Sequence, residues 1–173
     1  MKLAHNIGNT IHPNYNTREQ ILACNEPIGF DGIYKNVYDN QDVLVGKSGI
    51  MFVMGDFVGE DNSFDLPNVP RLEKYCTLDQ VFELCEKYNF ELGWHTWSHR
   101  DLTLLSREEI ISEVTPPMGM NIKHFAYPYG TFNDLVIECV KEAGFKVAYS
   151  VTQGSQDRAD VDHHFKIYRD YIR

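Results

Sequence analysis

Short apolar runs alternate along the chain with longer stretches whose polar and apolar residues follow a helical pattern. The clearest apolar run covers residues 50–54, and similar runs lie at 27–30, 90–94, 122–127, 146–151 and 165–172. Apolar runs of this length, bounded by turn residues, are typical of buried strands. Strands that alternate with helices predict an α/β fold built on parallel strands.

Helix start signals support this alternation. Residues 77–80 and 106–109 each place Thr or Ser three positions before Gln or Glu, which is the capping-box pattern. They predict that helices begin at these two points, and further helices are predicted over 34–47 and 133–143. About five or six strand–helix units in one small domain favour a barrel-like sheet, with its chemistry at the carboxyl ends of the strands.

The stretch from 55 to 75 carries two prolines and several Asp and Asn residues, which predicts a long loop. Loops of that length inside a compact domain tend to be functional. It contains the carboxylates of Asp56, Asp61 and Asp65, which are ordinarily solvated in such a loop.

Two histidines, His95 and His99, follow the predicted strand at 90–94 directly. Their spacing of four predicts that both imidazoles fall on one side of a helical turn. Neutral imidazole is a common ligand of zinc, and the end of a strand is where ligands bind in α/β sheets. The pair is therefore a candidate metal site, although two histidines can also share a face without binding anything.

Length, net charge, apolar content and cysteine spacing limit which classes of protein and partner are expected. The 173 residues predict a single domain over 1–173, and a net charge of −9 argues against a nucleic-acid partner. No apolar stretch is long enough for a membrane span, and the first ten residues lack a secretory pattern, so a cytoplasmic protein is expected. Four cysteines without CxxC pairing predict reduced thiols, at Cys24, Cys76, Cys85 and Cys139.

Three segments at predicted strand ends carry a family resemblance. They are Gly29-Phe30-Asp31-Gly32, His95-Thr96-Trp97-Ser98-His99 and Phe125-Ala126-Tyr127-Pro128-Tyr129-Gly130. In this order they resemble the polysaccharide deacetylases, the NodB-homology domains of carbohydrate esterase family 4. That family has a Thr-Phe-Asp-Asp-Gly motif, then His-(Ser/Thr)-x-x-His, then a motif ending in Pro-Tyr-Gly. The likeness extends from about residue 3 to residue 172.

The resemblance implies a distorted (β/α) barrel and a reaction. That reaction is the metal-assisted removal of an N-acetyl group from an amino sugar, with a divalent cation, usually zinc, as cofactor. The implied partner is an N-acetylated saccharide, and the absence of a secretory pattern favours a soluble or lipid-linked precursor of a surface polysaccharide.

The resemblance also assigns roles to individual residues. His95 and His99 match the metal-binding histidines, and Tyr129 matches the residue whose backbone N–H helps to form the oxyanion hole. Tyr127 and Pro128 correspond to substrate-binding positions of the same motif. Asp31 matches one of two paired aspartates, the first a base and the second a metal ligand.

The chain departs from the family pattern at two positions. Gly32 stands where the second aspartate is expected, and Ala126 stands where many members carry an arginine. An ungapped alignment makes Asp31 the base, whereas a gapped alignment makes it the ligand and leaves no base. The ungapped alignment is preferred because it keeps the register of the aromatic positions that follow. Either Asp31 also reaches the metal, or a carboxylate of the long loop substitutes, or no metal binds tightly.

The general acid is expected near the start of the chain. The segment Leu3-Ala4-His5-Asn6-Ile7-Gly8-Asn9 resembles a strand that supplies this acid in one branch of the family, which makes His5 the candidate. His163 and His164 are less favoured, and Trp97 is given no role. Two other functions remain open, which are a degenerate domain that only binds saccharide and a metal-independent amide hydrolase on the same scaffold.

Overall fold

The strands of the sheet pair in parallel throughout the part of the chain that the structure describes, as the alternating sequence pattern predicts. The computed structural model describes residues 9–11, 18–66, 72–151 and 160–171. Its strands are β1 (Asn9–Ile11), β2 (Ile28–Asp31), β3 (Ser48–Val53), β4 (Asn89–Trp94), β5 (His124–Ala126), β6 (Val147–Ser150), β7 (Ile167–Tyr168) and β8 (Asp170–Tyr171). Its α-helices are α1 (Arg18–Ala23), α2 (Lys35–Asp39), α3 (Leu78–Lys87), α4 (Arg107–Val114) and α5 (Asp134–Glu142).

The two ends of the sheet meet in one short segment. The strand order is β7-β6-β5-β4-β3-β2-β1-β8, so β7 and β8 lie at opposite ends of the sheet. Only Arg169 separates these two strands in the chain. The segment 167–171 therefore pairs with β6 through its first half and with β1 through its second half, which closes the sheet. The predicted distorted (β/α) barrel is confirmed.

The predicted helix starts are confirmed with their caps. Thr77 accepts from Gln80 and Ser106 accepts from Glu109, and both complete a capping box. Such caps satisfy N–H groups that would otherwise have no partner in the first helical turn. The helix predicted over 34–47 is divided at Asn40, where α2 gives way to a 3₁₀ turn over Gln41–Leu44.

Apolar side chains fill both faces of the central strands. On β3, Met51 and Val53 pack in the core between sheet and helices, whereas Ile50 and Phe52 pack inside the barrel. Gly93 on the neighbouring strand makes room for Phe52, because a Cβ there would lie 2.3 Å from the Phe52 ring. Burial on both faces explains why β3 is an uninterrupted apolar run. No helix in the described ranges is long and apolar enough to cross a membrane.

Candidate active site

Residues from the three family-like segments meet in one cleft at the carboxyl ends of the strands. Asp31 ends β2, His95 follows β4, and Tyr127 follows β5. Parallel neighbours bring their carboxyl ends to the same edge of a sheet, so these residues are brought together as the sequence predicts. The cleft is lined by Asp31, Met54, Phe64, Asp65, Tyr75, His95, His99, Tyr127, Tyr129 and Val151.

The ring of His95 is held in one orientation by the next strand. Its Nδ1 lies 2.7 Å from the carbonyl oxygen of Ala126, and its backbone N–H donates to the carbonyl of Val53 at 2.8 Å. Because a carbonyl can only accept, Nδ1 must carry the proton. In the neutral ring Nε2 is then an acceptor, which is the state in which imidazole binds a metal.

His99 reaches the cleft by a bent loop, and the predicted helical turn is wrong. Thr96 and His99 adopt left-handed backbone angles, with φ of 68° and 58°. The N–H of His99 donates to the hydroxyl of Thr96 instead of a helical carbonyl. The bend still brings the rings of His95 and His99 to 4.8 Å between centroids, inclined at 74°. The predicted proximity therefore results from tertiary contacts of the loop and not from helical periodicity.

Asp31 is paired with an arginine that no motif indicated. The guanidinium of Arg169 donates to both carboxylate oxygens, at 2.8 and 2.9 Å. Burial by itself raises the pKa of Asp31, but Arg169 and the imidazoles of His95 and His99 outweigh it and hold the pKa below its usual value. The carboxylate is therefore ionised at neutral pH and has a fixed orientation. The guanidinium beside Asp31 comes from the closing strand segment, since Arg169 lies between β7 and β8.

Gly32 is required by the local backbone and by its neighbours. Its φ is +84°, and a Cβ there would lie 2.8 Å from Cε1 of Tyr75 and 2.9 Å from Cε of Met54. Tyr75 is held in place by stacking on Tyr34, with ring centroids 4.7 Å apart. The space that an aspartate at position 32 would enter is thus filled by other side chains.

The segment after β5 places Tyr129 at the mouth of the cleft. Its backbone is left-handed, with φ 58° and ψ 4°, and its side chain is 56% exposed. The Tyr129 ring lies 4.8 Å from that of His99. Tyr127 and Pro128, predicted to bind substrate, are both buried, and the Tyr127 hydroxyl donates to the carbonyl of Phe165. Tyr127 nevertheless lines the cleft, whereas Pro128 is not among its lining residues.

The carboxylates of the long loop differ in their placement. Asp65 lines the cleft, whereas Asp61 accepts from the backbone N–H of Ser63 in a local turn. Within the described ranges, no group of three or more His, Cys, Asp or Glu side chains is arranged to hold a metal ion. Two imidazoles fit a zinc-like cation in their chemistry, and the Asp31 carboxylate lines the same cleft, but the described side chains do not form a preorganised set of three ligands.

Two of the candidate general acids, His163 and His164, are not among the residues that line the cleft. His5 lies outside the described residues. His163 and His164 pack against each other with ring centroids 3.8 Å apart, on the 3₁₀ turn before β7.

Comparison with known sequences identifies the family of this protein. The sequence model of the polysaccharide deacetylase family matches residues 46–148, more than half of the chain. The chain belongs to the polysaccharide deacetylase family. The matched range contains His95, His99 and Tyr129, whereas Asp31 and Arg169 lie outside it.

Curated relatives extend the likeness beyond that range. Poly-beta-1,6-N-acetyl-D-glucosamine N-deacetylase of Staphylococcus aureus strain MRSA252 is 26% identical over 144 residues, which cover 73% of this chain and 47% of the relative. The relative of strain COL matches with the same identity and coverage. The chain thus spans about half the length of these curated relatives.

Solved structures share the fold. IcaB from Ammonifex degensii superposes with a TM-score of 0.73 at 16% identity, covering 96% of this chain and 91% of that one. The Streptococcus pyogenes deacetylase PplD, in complex with acetate, gives a TM-score of 0.66 at 17% identity, covering 94% and 74%. At these identities the likeness concerns the fold.

Proposed function

We propose that this protein is a metal-dependent deacetylase that removes an N-acetyl group from an amino sugar of a saccharide and releases acetate. The observation that carries the proposal is an ionised carboxylate, Asp31, fixed in one cleft with the imidazoles of His95 and His99. Family membership and the activity named for the S. aureus relatives support the same chemistry.

Asp31 is the proposed general base. An ionised carboxylate can take the proton from a water molecule as that water attacks the amide carbon. The two hydrogen bonds from Arg169 hold the carboxylate plane in one orientation and leave lone pairs on both oxygens for the water. The low pKa keeps Asp31 unprotonated over the physiological range.

His95 and His99 are the proposed ligands of a divalent cation, which we take to be zinc. The Nδ1 proton of His95 is engaged by Ala126, so Nε2 is the ligating atom, and Asp31 is the proposed third ligand. When bound, such a cation polarises the amide carbonyl and lowers the pKa of the attacking water. Gly32 contributes no ligand, so we expect weaker binding than at a site with three dedicated side chains.

The remaining roles concern the tetrahedral intermediate and the leaving amine. The left-handed turn at Tyr129 places its backbone at the cleft mouth, and we assign its N–H to the developing oxyanion. His5 is the proposed acid that protonates the amine, which is otherwise a poor leaving group. Exposed rings of Phe64 and Tyr129 flank His99 and offer apolar faces to a pyranose ring.

The names of the relatives support a proposal for the substrate class. We propose a β-1,6-linked oligomer of N-acetylglucosamine, soluble or attached to a lipid carrier, because this is the polymer in the name of the S. aureus relatives. The cleft is open to solvent at Phe64 and Tyr129, which suits an internal residue of a chain as well as its end.

Acetate release tests the proposal. The purified chain, loaded with zinc, is incubated with β-1,6-linked and with β-1,4-linked N-acetylglucosamine oligomers, and acetate is measured by a coupled enzymatic assay. We expect release from the β-1,6 oligomer, and its loss in Asp31→Asn and His95→Ala proteins that keep the wild-type circular dichroism spectrum. Full activity of Asp31→Asn would exclude the proposed base.

A saccharide-binding domain without catalysis is the second candidate. The filled space beside Gly32 favours it, because it removes the usual position of a metal-binding carboxylate. Saturable binding of the oligomer without acetate release or bound zinc would support this function. Acetate release that persists in excess chelator would instead indicate a metal-independent hydrolase.

A further inference from the structure

The loop between His95 and His99 is held by a buried glutamate from a neighbouring helix. Oε2 of Glu113 accepts hydrogen bonds from the backbone N–H groups of Trp97, at 3.1 Å, and Ser98, at 3.0 Å. Its other oxygen, Oε1, accepts from the hydroxyl of Ser98 at 2.5 Å. Glu113 is the last but one residue of α4, and it is only 8% exposed.

Three hydrogen bonds offset the free-energy cost of burying the Glu113 carboxylate. A carboxylate removed from water is strongly disfavoured unless donors replace its hydration. All three donors come from two consecutive residues of the histidine loop. The glutamate and the loop therefore stabilise each other, and neither keeps its hydrogen bonds if the other moves.

The opposite edge of the same loop is bound to the segment after β3. Gly55 and Asp56 donate their N–H groups to the carbonyls of Thr96 and Trp97, both at 3.0 Å. The Trp97 ring packs against Gly55, where a Cβ would come within 2.3 Å of it, and its Nε1–H donates to the carbonyl of Thr115. Left-handed residues at both ends of the loop persist only when surrounding contacts determine them, and Glu113 provides the contacts on one side.

The two histidines depend on Glu113 to different degrees. His95 is fixed by β-sheet hydrogen bonding to Val53 and by the contact of its ring with Ala126, so it keeps its place without the loop. His99 follows Trp97 and Ser98 directly in the chain, and its position depends on theirs. Loss of Glu113 is thus expected to displace one imidazole relative to the other.

We propose that Glu113 is a positioning residue that sets the distance and angle between the His95 and His99 imidazoles for joint binding of one divalent cation. The inference rests on the proposed function only in assuming that a cation binds to this pair. Glu113 touches neither the cation nor the substrate, and it acts through the backbone of Trp97 and Ser98.

Zinc affinity measured by competition with a chromophoric chelator tests this inference. Removing a residue that orients ligands typically weakens metal binding by about 10–100-fold, and we expect a loss of this size in Glu113→Ala. Glu113→Gln keeps one oxygen that can accept both N–H groups, so its loss is expected to be smaller. Glu108→Gln, an exposed change on the same helix, is the matched control and is expected to bind zinc as the wild type does.

A double-mutant comparison separates positioning from general destabilisation. In a His99→Ala background, Glu113→Gln is expected to change zinc affinity no further, because the imidazole that it positions is gone. Amide hydrogen exchange on the metal-free protein should show lost protection at Trp97 and Ser98 in the Glu113 variants. Should Glu113→Ala fail to fold, Glu113→Gln alone decides the question.

The outcomes distinguish the two proposals. Wild-type protein that binds zinc while Glu113→Gln and Glu113→Ala bind it equally well would overturn the positioning role and leave the proposed function intact. Wild-type protein that binds no zinc would overturn the metal site, and the positioning role with it. Reduced affinity in the Glu113 variants, retained in Glu108→Gln, supports both.

Discussion

The guanidinium of Arg169 donates one hydrogen bond to each carboxylate oxygen of Asp31, across 138 positions of sequence. The arginine side chain is 0% exposed and the aspartate side chain 11%. The ring faces of Phe52 and Tyr149 lie 5.0 and 5.7 Å from the guanidinium carbon, so the arginine is also packed between aromatic residues of the barrel interior. The pair therefore combines opposite charge, two-point hydrogen bonding and burial.

Removal of this guanidinium is expected to destabilise the protein strongly. Arg169→Met leaves the Asp31 carboxylate buried without its partner, and breaking a buried pair in this way typically costs about 3–5 kcal/mol of unfolding free energy. Urea denaturation measures the loss. Arg18→Met removes an exposed arginine that binds Asp42 through two similar hydrogen bonds, and it should cost far less because solvent screens that pair. Equal losses in the two variants would contradict the special importance of Arg169.

The Arg169–Asp31 pair also predicts how kcat/KM depends on pH in the acid range. Because Arg169 lowers the pKa of Asp31, the carboxylate stays ionised as the pH falls, and activity should persist below the usual range of a carboxylate base. Arg169→Lys keeps the positive charge but cannot reproduce the guanidinium's paired hydrogen bonds to the two carboxylate oxygens. The pKa of Asp31 is then expected to rise, and the acid limb of the kcat/KM profile is expected to move to higher pH. An unchanged limb in Arg169→Lys would show that another group controls it.

Restoring the family aspartate at position 32 is expected to fail. In Gly32→Asp the new side chain meets Tyr75 and Met54 and must adopt a left-handed backbone, so we expect lower stability and no gain in zinc affinity. Isothermal titration with zinc and thermal denaturation measure both quantities.

A substitution at Gly46 separates backbone strain from steric clash in the Gly32 variants. Gly46 has a similar φ of +74°, but a Cβ there meets nothing within 4 Å. Gly46→Ala therefore reports the backbone strain alone, about 1–2 kcal/mol. Gly32→Ala is expected to cost more, by the amount needed to displace Tyr75. A Gly32→Asp protein with tighter zinc binding would refute the assignment of that space to Tyr75.

A buried histidine inside the barrel predicts a loss of stability in mild acid. His124 contacts the hydroxyl of Tyr149 and a carboxylate oxygen of Glu91, each at 3.2 Å. Burial lowers the pKa of His124 below the ordinary 6.5, although Glu91 partly opposes this. Below pH 6.5 the unfolded chain binds a proton that the folded protein resists, so the unfolding free energy should fall as the pH decreases.

Chemical denaturation of wild type and His124→Gln between about pH 7.5 and pH 5 checks this slope. The glutamine cannot be protonated, so the fall is expected to be shallower in the variant, even if its stability at neutral pH is lower. Parallel curves for the two proteins would assign the acid sensitivity to other groups.

The exposed ring of Phe64 is predicted to contribute to substrate affinity. Phe64 is 38% exposed, stacks on Phe57 with ring centroids 4.0 Å apart, and lies 5.7 Å from the His99 ring. Phe64→Ala should raise KM for the oligosaccharide severalfold with little change in kcat, because the ring offers an apolar face without touching the reacting atoms. Leu66→Ala, an exposed residue of the same loop, is the control. A fall in kcat alone would place Phe64 in a different role.

Local patterns were sufficient to predict β2 to β6 and the two capping boxes, and with the family resemblance they predicted that Asp31 meets His95 and His99, whereas β1 and α1 were not predicted. Each confirmed prediction depends on residues close in sequence or on the rule that parallel strands end at one edge. The helical turn at His95–His99 was wrong because Glu113, Gly55 and Asp56 capture the backbone groups that a helix needs. Those partners are distant in sequence and carry no local pattern.

Arg169 was missed for a related reason. Its contact with Asp31 exists only after the sheet has closed, and a single arginine in a short terminal strand has no distinguishing neighbours. Gly32 was correctly singled out as a departure from the family. Its cause, a left-handed backbone against Tyr75, depends on the packing of a loop more than 40 residues away.

The residue that joins the two ends of the sheet is also the partner of Asp31, and this links the site to cooperative folding. An intermediate with the first six strands in place but without the segment 167–171 would lack the guanidinium that pairs with the Asp31 carboxylate. Such an intermediate is penalised by the unpaired charge as well as by its open edges. We therefore expect the barrel to form in an all-or-none manner, because chains that have not closed the sheet lack the arginine–aspartate pair and are less stable.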